Sequence, residues 1–481
     1  MKVDVISNYI NQVVNISIRF LMIPIYVDSF GVSSYGLIGF YLSLTSIMVL
    51  LDFGMGYAAN KTLAECNSDN NLIGVIPNLL FVERIYLAVA VFLGLIVFLT
   101  SGFISEEWLT IDDLSIDGSY IITLMGLLII VSWPQSLYQS MLSGQKKFLR
   151  MNVILCFMNI ATNLIMFIVL MQMKTGIESY FYVMIVTMFV QTLLLRWASW
   201  KALPRVRCEF NKLEFKRFFS FAANITIFSI SSLFYFQGPI LLLTTFSTTG
   251  ELGVYNLSLT FPMAILTLIY PITSTAFPRL VGALPDGSDN AYKTFYYTMS
   301  IVTIMASVIL VVVGLNMEFI YNFWLNGNEN VVAMLAVSMY LLLSVFIHAL
   351  YIIVANVLLA NGHAKTLSFG YALSTMVLFV TVLVVETVDA LLISKLWVIC
   401  AIIVLVWSLL LLLRLNAHYS LLWGKSFVMN IAPCLVLAYV ILYLDSIIKG
   451  AEYIFVSSVL LAVLFNVLSL KKVYTGLSNV K

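Results

Sequence analysis

Residues 5–28 read VISNYINQVVNISIRFLMIPIYVD, a run long enough to cross a bilayer as one helix, because a span needs about 20 residues. Four polar side chains interrupt the run, at Asn8, Gln12, Asn15 and Arg19. Their i, i+4, i+7, i+11 spacing places them on one helical face. A charge at the centre of a membrane helix costs about 2.5–3.5 kcal/mol, so such residues normally face a bundle interior or a watery cavity. The stretch therefore predicts a helix that lines a polar chamber inside the membrane.

The composition of the whole chain agrees with a membrane location. Of its 481 residues, 62% are hydrophobic and 10% charged, and the mean hydropathy is +1.02. Soluble domains are about 45–50% apolar and about 25% charged, so the chain is a polytopic membrane protein. The net charge of +2 does not indicate a nucleic-acid partner. Five cysteines without paired spacing or a histidine cluster predict no disulfide framework and no metal site, and we expect no cofactor.

About fourteen transmembrane helices are predicted, because the apolar runs are long and do not alternate with a period of two. The runs lie near residues 5–28, 36–58, 77–100, 120–141, 152–172, 179–199, 219–244, 253–277, 294–314, 331–358, 366–385, 391–413, 426–444 and 452–470. The connections are too short for a soluble domain. The N-terminus enters the first run without a small-residue cleavage site, which predicts a retained helix and not a signal peptide.

The positions of lysine and arginine predict the orientation of these spans. With the N-terminus inside, twenty of the 25 basic residues fall in inner segments and three, Lys174, Lys395 and Lys449, in outer ones. The remaining two, Arg19 and Arg84, lie within spans. Both termini are therefore predicted to be cytoplasmic.

An internal repeat is visible at a lag of roughly 220 residues, a common feature of transporters. Tyr35-Gly-Leu corresponds to Tyr255-Asn-Leu, and Ser143-Gly-Gln-Lys-Lys corresponds to Asn361-Gly-His-Ala-Lys. The repeat predicts two pseudo-symmetric six-helix lobes and an extra C-terminal helix pair. The predicted parts are an N-lobe at 1–205, a C-lobe at 206–415, and the helix pair with a cytoplasmic tail at 416–481.

Three stretches resemble one family. They begin at Asp52 (DFGMGYAA), at Gln139 (QSMLSGQKKF) and at Tyr255, which is followed by Phe261-Pro and Phe277-Pro-Arg. Together they resemble the polysaccharide-export flippases of the multidrug/oligosaccharidyl-lipid/polysaccharide exporter (MOP) superfamily, including flippases for O-antigen and teichuronic-type repeats.

The resemblance implies a V-shaped pair of six-helix lobes working by alternating access. The implied cargo is an undecaprenyl-diphosphate-linked oligosaccharide, moved from the cytoplasmic to the outer leaflet of a bacterial cytoplasmic (inner) membrane for surface polysaccharides such as lipopolysaccharide O-antigen. Membrane lipids are implied partners, and polysaccharide polymerase and chain-length proteins are candidates. The chain departs from the family in two respects. Gln237-Gly-Pro stands where relatives often place an acid, and the fourteen spans resemble the lipid II flippases, whose extra pair forms a lipid-tail groove.

Arg19 is the main candidate for substrate binding. Its guanidinium is always charged and offers a planar fork of donors suited to phosphate, so it could hold the substrate diphosphate. A structural salt bridge or hydrogen-bond anchor is the alternative. Asn8, Gln12 and Asn15 could meet sugar hydroxyls, although amides also hold membrane helices together.

A second group of candidates comprises Asp52, Glu83 and Arg84. Asp52 and Glu83 are predicted about 9 Å inside the same membrane face, each some six residues from a span end. Asp52 could pair with Arg84, which would be a structural salt bridge. Glu83 would then be unmatched and would be a candidate for binding a proton or Na⁺.

Pro262 and Pro271 interrupt the eighth predicted span. Proline removes backbone hydrogen bonds, and discontinuous helices often occur at transport sites, so these residues are candidates for a helix break with a gating role. A plain kink is the alternative.

Two other functions remain open from the sequence. One is a cation-coupled multidrug exporter of the same superfamily, which would need acids without a central arginine. The other is a membrane polymerase or ligase acting on lipid-linked sugar, which would typically carry a large outer loop. No nucleotide-binding loop or hydrolase motif occurs, so we expect a transporter and not an enzyme.

Overall fold

A computed structural model describes residues 2–48, 76–109, 117–173, 176–201, 230–283, 289–325 and 330–430, together with residues 55, 56, 59, 60, 63 and 203. Nearly all of these residues are helical. Ten helices in this part of the chain are long and apolar enough to cross a membrane. The prediction of an all-α polytopic membrane protein is therefore confirmed. Of the segment predicted to form the extra helix pair and tail, residues 417–430 are helical, and residues 431–481 lie outside the described residues.

Membrane helices satisfy every backbone hydrogen bond internally, which explains why these apolar runs are helical. In chain order the helices are α1 (Lys2–Met48), α2 (Ile76–Leu99), α3 (Gly118–Ser132), α4 (Gln135–Gly144), α5 (Phe148–Met173), α6 (Glu178–Trp200), α7 (Ile230–Phe246), α8 (Thr249–Ala283), α9 (Asp289–Leu315), α10 (Met317–Trp324), α11 (Val331–Ala360), α12 (Ala364–Val384) and α13 (Ala390–Leu415). Helices α3 and α4 together make one candidate span, Gly118–Gly144.

Helix α1 combines the first two predicted spans. The backbone leaves helical geometry at Gly31, where φ is 81° and ψ is 167°. Glycine adopts a positive φ without the steric penalty that a Cβ brings, and a Cβ at Gly31 would meet no neighbouring atom. Gly31 therefore redirects the chain between two helical segments of α1.

The described residues fall into two compact units. The first comprises residues 1–230 and 247–250, and the second comprises residues 231–246 and 251–481. The predicted boundary between the lobes, at residues 205 and 206, lies outside the described residues.

In the first unit, α2 and α3 cross closely at two glycines. A Cβ on Gly126 would lie 3.0 Å from the carbonyl oxygen of Gly94, and a Cβ on Gly94 would lie 2.8 Å from the carbonyl oxygen of Gly126. Small residues let membrane helices approach to backbone contact, where dispersion forces are strongest. The two glycines therefore allow α2 and α3 to pack in backbone contact within the first unit.

The second unit has an aromatic core between α7, α11, α12 and α13. The ring of His348 lies 5.3 Å from that of Tyr235 and 5.0 Å from that of Phe236, and the indole of Trp397 donates to the carbonyl oxygen of Tyr235 at 3.3 Å.

At the N-terminus of α13, Asp389 accepts a hydrogen bond from the amide of Leu392. This capping satisfies a donor that the helix itself leaves unpaired.

The turns after α4 and α11 have the same hydrogen-bonding pattern. The amide of Lys147 donates to the carbonyl of Leu142 at 2.9 Å, and the amide of His363 donates to the carbonyl of Leu358 at 2.9 Å. Each turn has one residue at positive φ just before that amide, Lys146 (58°) and Gly362 (81°). These are the features of a helix end closed by a left-handed residue. Lys146 thus corresponds to Gly362, two residues away from the sequence pairing, which matched Gly144 with Gly362.

Candidate functional site

The first unit contains a cavity of about 550 Å³ lined by α1, α4, α5 and α6. Eight of its lining residues are apolar, and the rest carry amide, hydroxyl or guanidinium groups. The polar ones are Asn11, Asn15, Arg19, Tyr26, Tyr35, Gln139, Asn159, Thr162, Asn163, Tyr180 and Gln191. Among the described lining residues none is Asp or Glu. The cavity therefore has a mixed polar and apolar lining with one positive charge, that of Arg19, and no acidic residue among the described lining residues.

The polar face of α1 forms one side of this cavity. Asn15 and Arg19, both predicted from the sequence, line it, and so does Asn11, which the sequence reasoning missed. Gln12 is half-buried and is not among the lining residues, while the side chain of Asn8 lies outside the described residues. The lining face is rotated toward Asn11 because it follows steps of four residues through positions 11, 15 and 19.

Arg19 has an exposed side chain at the cavity. Its guanidinium lies close to the hydroxyls of Tyr35 and Tyr180. Both tyrosines are lining residues and are neutral partners. The guanidinium has five N–H donors, more than these two hydroxyls can accept.

Side-chain amides of α1 and α5 form a continuous chain of hydrogen bonds along the cavity. The hydroxyl of Tyr26 donates to Oδ1 of Asn163 at 3.2 Å, and Nδ2 of Asn163 donates to Oδ1 of Asn159 at 2.7 Å. From there Nδ2 of Asn159 donates to Oδ1 of Asn15. Nδ2 of Asn15 then donates to Oδ1 of Asn11 at 3.4 Å. We call these five residues the amide chain.

Sequence reasoning missed the α5 members of the amide chain, although a signal was present. Asn152, Asn159 and Asn163 are spaced i, i+7, i+11 in an otherwise apolar span, which puts them on one face. The structure turns that face toward α1, where Nδ2 of Asn152 donates to Oγ of Ser7 at 3.0 Å. Only Asn159 and Asn163 line the cavity.

Glu83 is paired, so the expectation that it would be unmatched is wrong. Its Oε1 accepts from Nε of Arg196 at 2.8 Å, from the hydroxyl of Tyr138 at 2.7 Å and from Nε1 of Trp200 at 3.1 Å. The Glu83 side chain is only 5% exposed, and burial of a charge requires such partners. Asp52 lies outside the described residues, and the side chain of Arg84 is exposed.

Helix α8 continues through both prolines that were predicted to interrupt it. It is helical from Thr249 to Ala283, with Pro262 buried; the side chain of Pro271 lies outside the described residues. The gating role of these prolines stays a prediction. Among the described residues, no group of three or more His, Cys, Asp or Glu side chains could hold a metal ion.

Solved structures of membrane transporters have the same fold. The lipid II flippase MurJ, in its inward closed conformation, superposes with a TM-score of 0.74 at 11% identity, over 99% of this chain and 100% of that one. An inward-facing multidrug resistance MATE family transporter of the MOP superfamily gives 0.67 at 12% identity, over 86% and 99%. A MOP superfamily transporter from Pyrococcus furiosus, described as having a binding pocket of reverse polarity, gives 0.58 at 13% identity, over 87% and 96%.

The sequence itself matches one family model, that of the polysaccharide biosynthesis proteins, over residues 2–283. No curated protein shows significant sequence similarity to this chain. The matched segment covers more than half of the chain and includes the whole lining of the cavity. The chain therefore belongs to the polysaccharide biosynthesis protein family, and it shares its fold with transporters of the MOP superfamily that the sequence resembles.

Proposed function

We propose that this protein flips an undecaprenyl-diphosphate-linked oligosaccharide from the cytoplasmic to the outer leaflet of a bacterial cytoplasmic membrane by alternating access. Family membership supports a role in polysaccharide biosynthesis. The two compact units support an alternating-access mechanism, in which two lobes move so that the binding site opens to one side of the membrane at a time. The proposed role is transport without chemical change of the cargo.

The observation that carries this proposal is Arg19 in a cavity whose described lining contains no acid. A guanidinium binds phosphate through paired, charge-assisted hydrogen bonds, which are stronger than hydrogen bonds between neutral groups. The cavity volume of about 550 Å³ lies in the range of small-molecule sites, about 300–1,000 Å³. It would therefore hold the diphosphate and the adjoining sugar, and the lipid tail would stay outside it.

A cation-coupled multidrug exporter is the alternative within the superfamily. A cationic drug would meet Arg19 without a carboxylate from the described lining to offset the repulsion. The likeness to MATE transporters extends to the fold and does not carry their cargo with it. The electrostatics of this cavity favour the anionic lipid.

Reconstitution of the full chain into liposomes tests the proposal directly. The probe is a fluorescent polyprenyl-diphosphate disaccharide, whose arrival in the opposite leaflet is followed with a membrane-impermeant quencher. We expect protein-dependent transfer of this lipid and no efflux of ethidium, a cationic dye, under a proton or Na⁺ gradient. Ethidium efflux without lipid transfer would overturn the proposal in favour of a drug exporter.

A further inference from the structure

The amide chain has more hydrogen-bond donors than it uses. A side-chain amide offers two N–H donors and one carbonyl. Within the chain, Asn15 and Asn159 each use one N–H, and Asn11 only accepts. Four N–H groups on these three residues therefore have no acceptor within the chain. In contrast, the side-chain carbonyl of each of its four asparagines already accepts a hydrogen bond.

These spare donors lie close to Arg19. Asn15 is four residues before Arg19 on α1, a separation of about 6 Å along the helix axis. Asn159 contacts Asn15 from the facing helix α5, and all of these residues line the same cavity. A diphosphate held at Arg19 would therefore place the sugar attached to it against Asn15 and its neighbours.

The hydrogen bonds within the chain keep these donors in place. Asn15 and Asn159 tie their side chains to each other across two helices, so little rotamer freedom remains to be lost when a ligand binds. Such a wall is preorganised for a group that accepts hydrogen bonds. A sugar hydroxyl also has a proton that needs an acceptor, and each side-chain carbonyl of the amide chain already accepts a hydrogen bond. A carbonyl oxygen only accepts, so it matches a wall whose free groups are donors.

We infer that the amide chain recognises a 2-acetamido sugar next to the diphosphate, through the carbonyl oxygen of its acetamido group. This inference rests on the proposed function and names the sugar class that the same cavity selects. Asn15 and Asn11 are the specificity-determining residues on α1, and Asn159 is their counterpart on α5.

Two synthetic lipids that differ only in the acetamido group test the inference. One carries N-acetylglucosamine and the other glucose on the same polyprenyl diphosphate, and both are presented to the full-length protein in liposomes. We expect the acetamido lipid to be transported about fivefold faster at limiting concentration, the effect of one hydrogen bond. In Asn15→Leu and Asn11→Leu we expect this ratio to fall toward one.

The matched control is Asn152→Leu on α5. It removes an interhelical amide bond, to Ser7, without altering a residue that lines the cavity. The fivefold ratio should survive in this variant if it depends on the cavity wall. Should Asn15→Leu fail to fold, Asn11→Leu still decides, because Asn11 stands at the end of the chain and only accepts within it.

Equal transport of the two lipids by the unaltered protein would overturn this inference and leave the proposed function standing. A ratio that persists in both Asn15→Leu and Asn11→Leu would also overturn it. Transport of neither lipid by folded protein would overturn the proposed function, and the inference with it.

Discussion

At the scale of single residues, one oxygen atom of Glu83 joins three elements. Oε1 accepts from Tyr138 of α4 and from Arg196 and Trp200 of α6, while Glu83 itself belongs to α2. The ion pair with Arg196 compensates the charge of this buried carboxylate without a bound cation. The geometry therefore supports a structural role for Glu83.

Substitution Glu83→Gln tests that role. It removes the negative charge but keeps the size of the side chain. We expect the free energy of unfolding to fall by about 2 kcal/mol, which is typical of hydrogen bonds to a charged group. The measurement is the thermal unfolding temperature of the purified protein in detergent, combined with transport per folded molecule under different ion gradients. Glu386→Gln, at an exposed position, is the control and should unfold like the unaltered protein.

The structural interpretation of Glu83 would be contradicted if Glu83→Gln unfolded normally but lost a dependence of transport on Na⁺ or protons.

The sequence predicted part of the site at this scale, and geometry explains the rest. The spacing on α1 predicted Asn15 and Arg19 as lining residues, but Asn11 and Gln12 differ by only 100° on the helix and the partner helix decides between them. Glu83 and Arg196 are 113 residues apart, and no local pattern joins them. The basic residue next to Glu83 in the sequence, Arg84, has an exposed side chain.

At the scale of elements, spans were predictable and their ends less so. A bilayer imposes a length of about 20 apolar residues on every helix, and this constraint is local in sequence. Gly31 shows where local reasoning stops, since the gap between the first two predicted runs is a single non-helical residue in α1. The turns after α4 and α11 match when Lys146 is paired with Gly362, two residues from the pairing that residue identity predicts, because a lysine and a glycine occupy the same left-handed position.

The two turns after α4 and α11 give an element-scale prediction. A non-glycine residue in left-handed geometry costs about 1 kcal/mol. We therefore expect Gly362→Ala to lower the thermal unfolding temperature and Lys146→Gly to raise it or leave it unchanged. Gly424→Ala is the control, because a Cβ there meets no atom and its φ is not positive. Equal effects of Gly362→Ala and Gly424→Ala would contradict the correspondence between the two turns.

At the scale of the whole molecule, the distribution of basic residues predicts the topology. Tags inserted at residues 110, 248 and 325 should be accessible from outside the cell, and tags at residues 146, 210 and 481 from inside. Impermeant-reagent labelling of intact cells measures this. Labelling of residue 210 from outside would contradict the division into an N-lobe and a C-lobe with a cytoplasmic linker.

The charge of the proposed cargo predicts a dependence on membrane potential. Moving about two negative charges outward across an inside-negative membrane yields about 2.3 kcal/mol per charge per 100 mV, or roughly 4.6 kcal/mol in total. We expect collapse of the potential in liposomes to slow lipid transfer even without a Na⁺ or proton gradient. A rate that does not respond to the potential would indicate exchange with a compensating ion.

The central claim is that Arg19 holds the diphosphate of the cargo, and its most direct test is transport by Arg19 variants, normalised to folded protein in the membrane. Arg19→Lys keeps the charge but loses the paired donor geometry, so transport of the lipid-diphosphate sugar should be reduced. Arg19→Ala should fold and transport almost none. Wild-type transport by correctly folded Arg19→Ala would contradict the account.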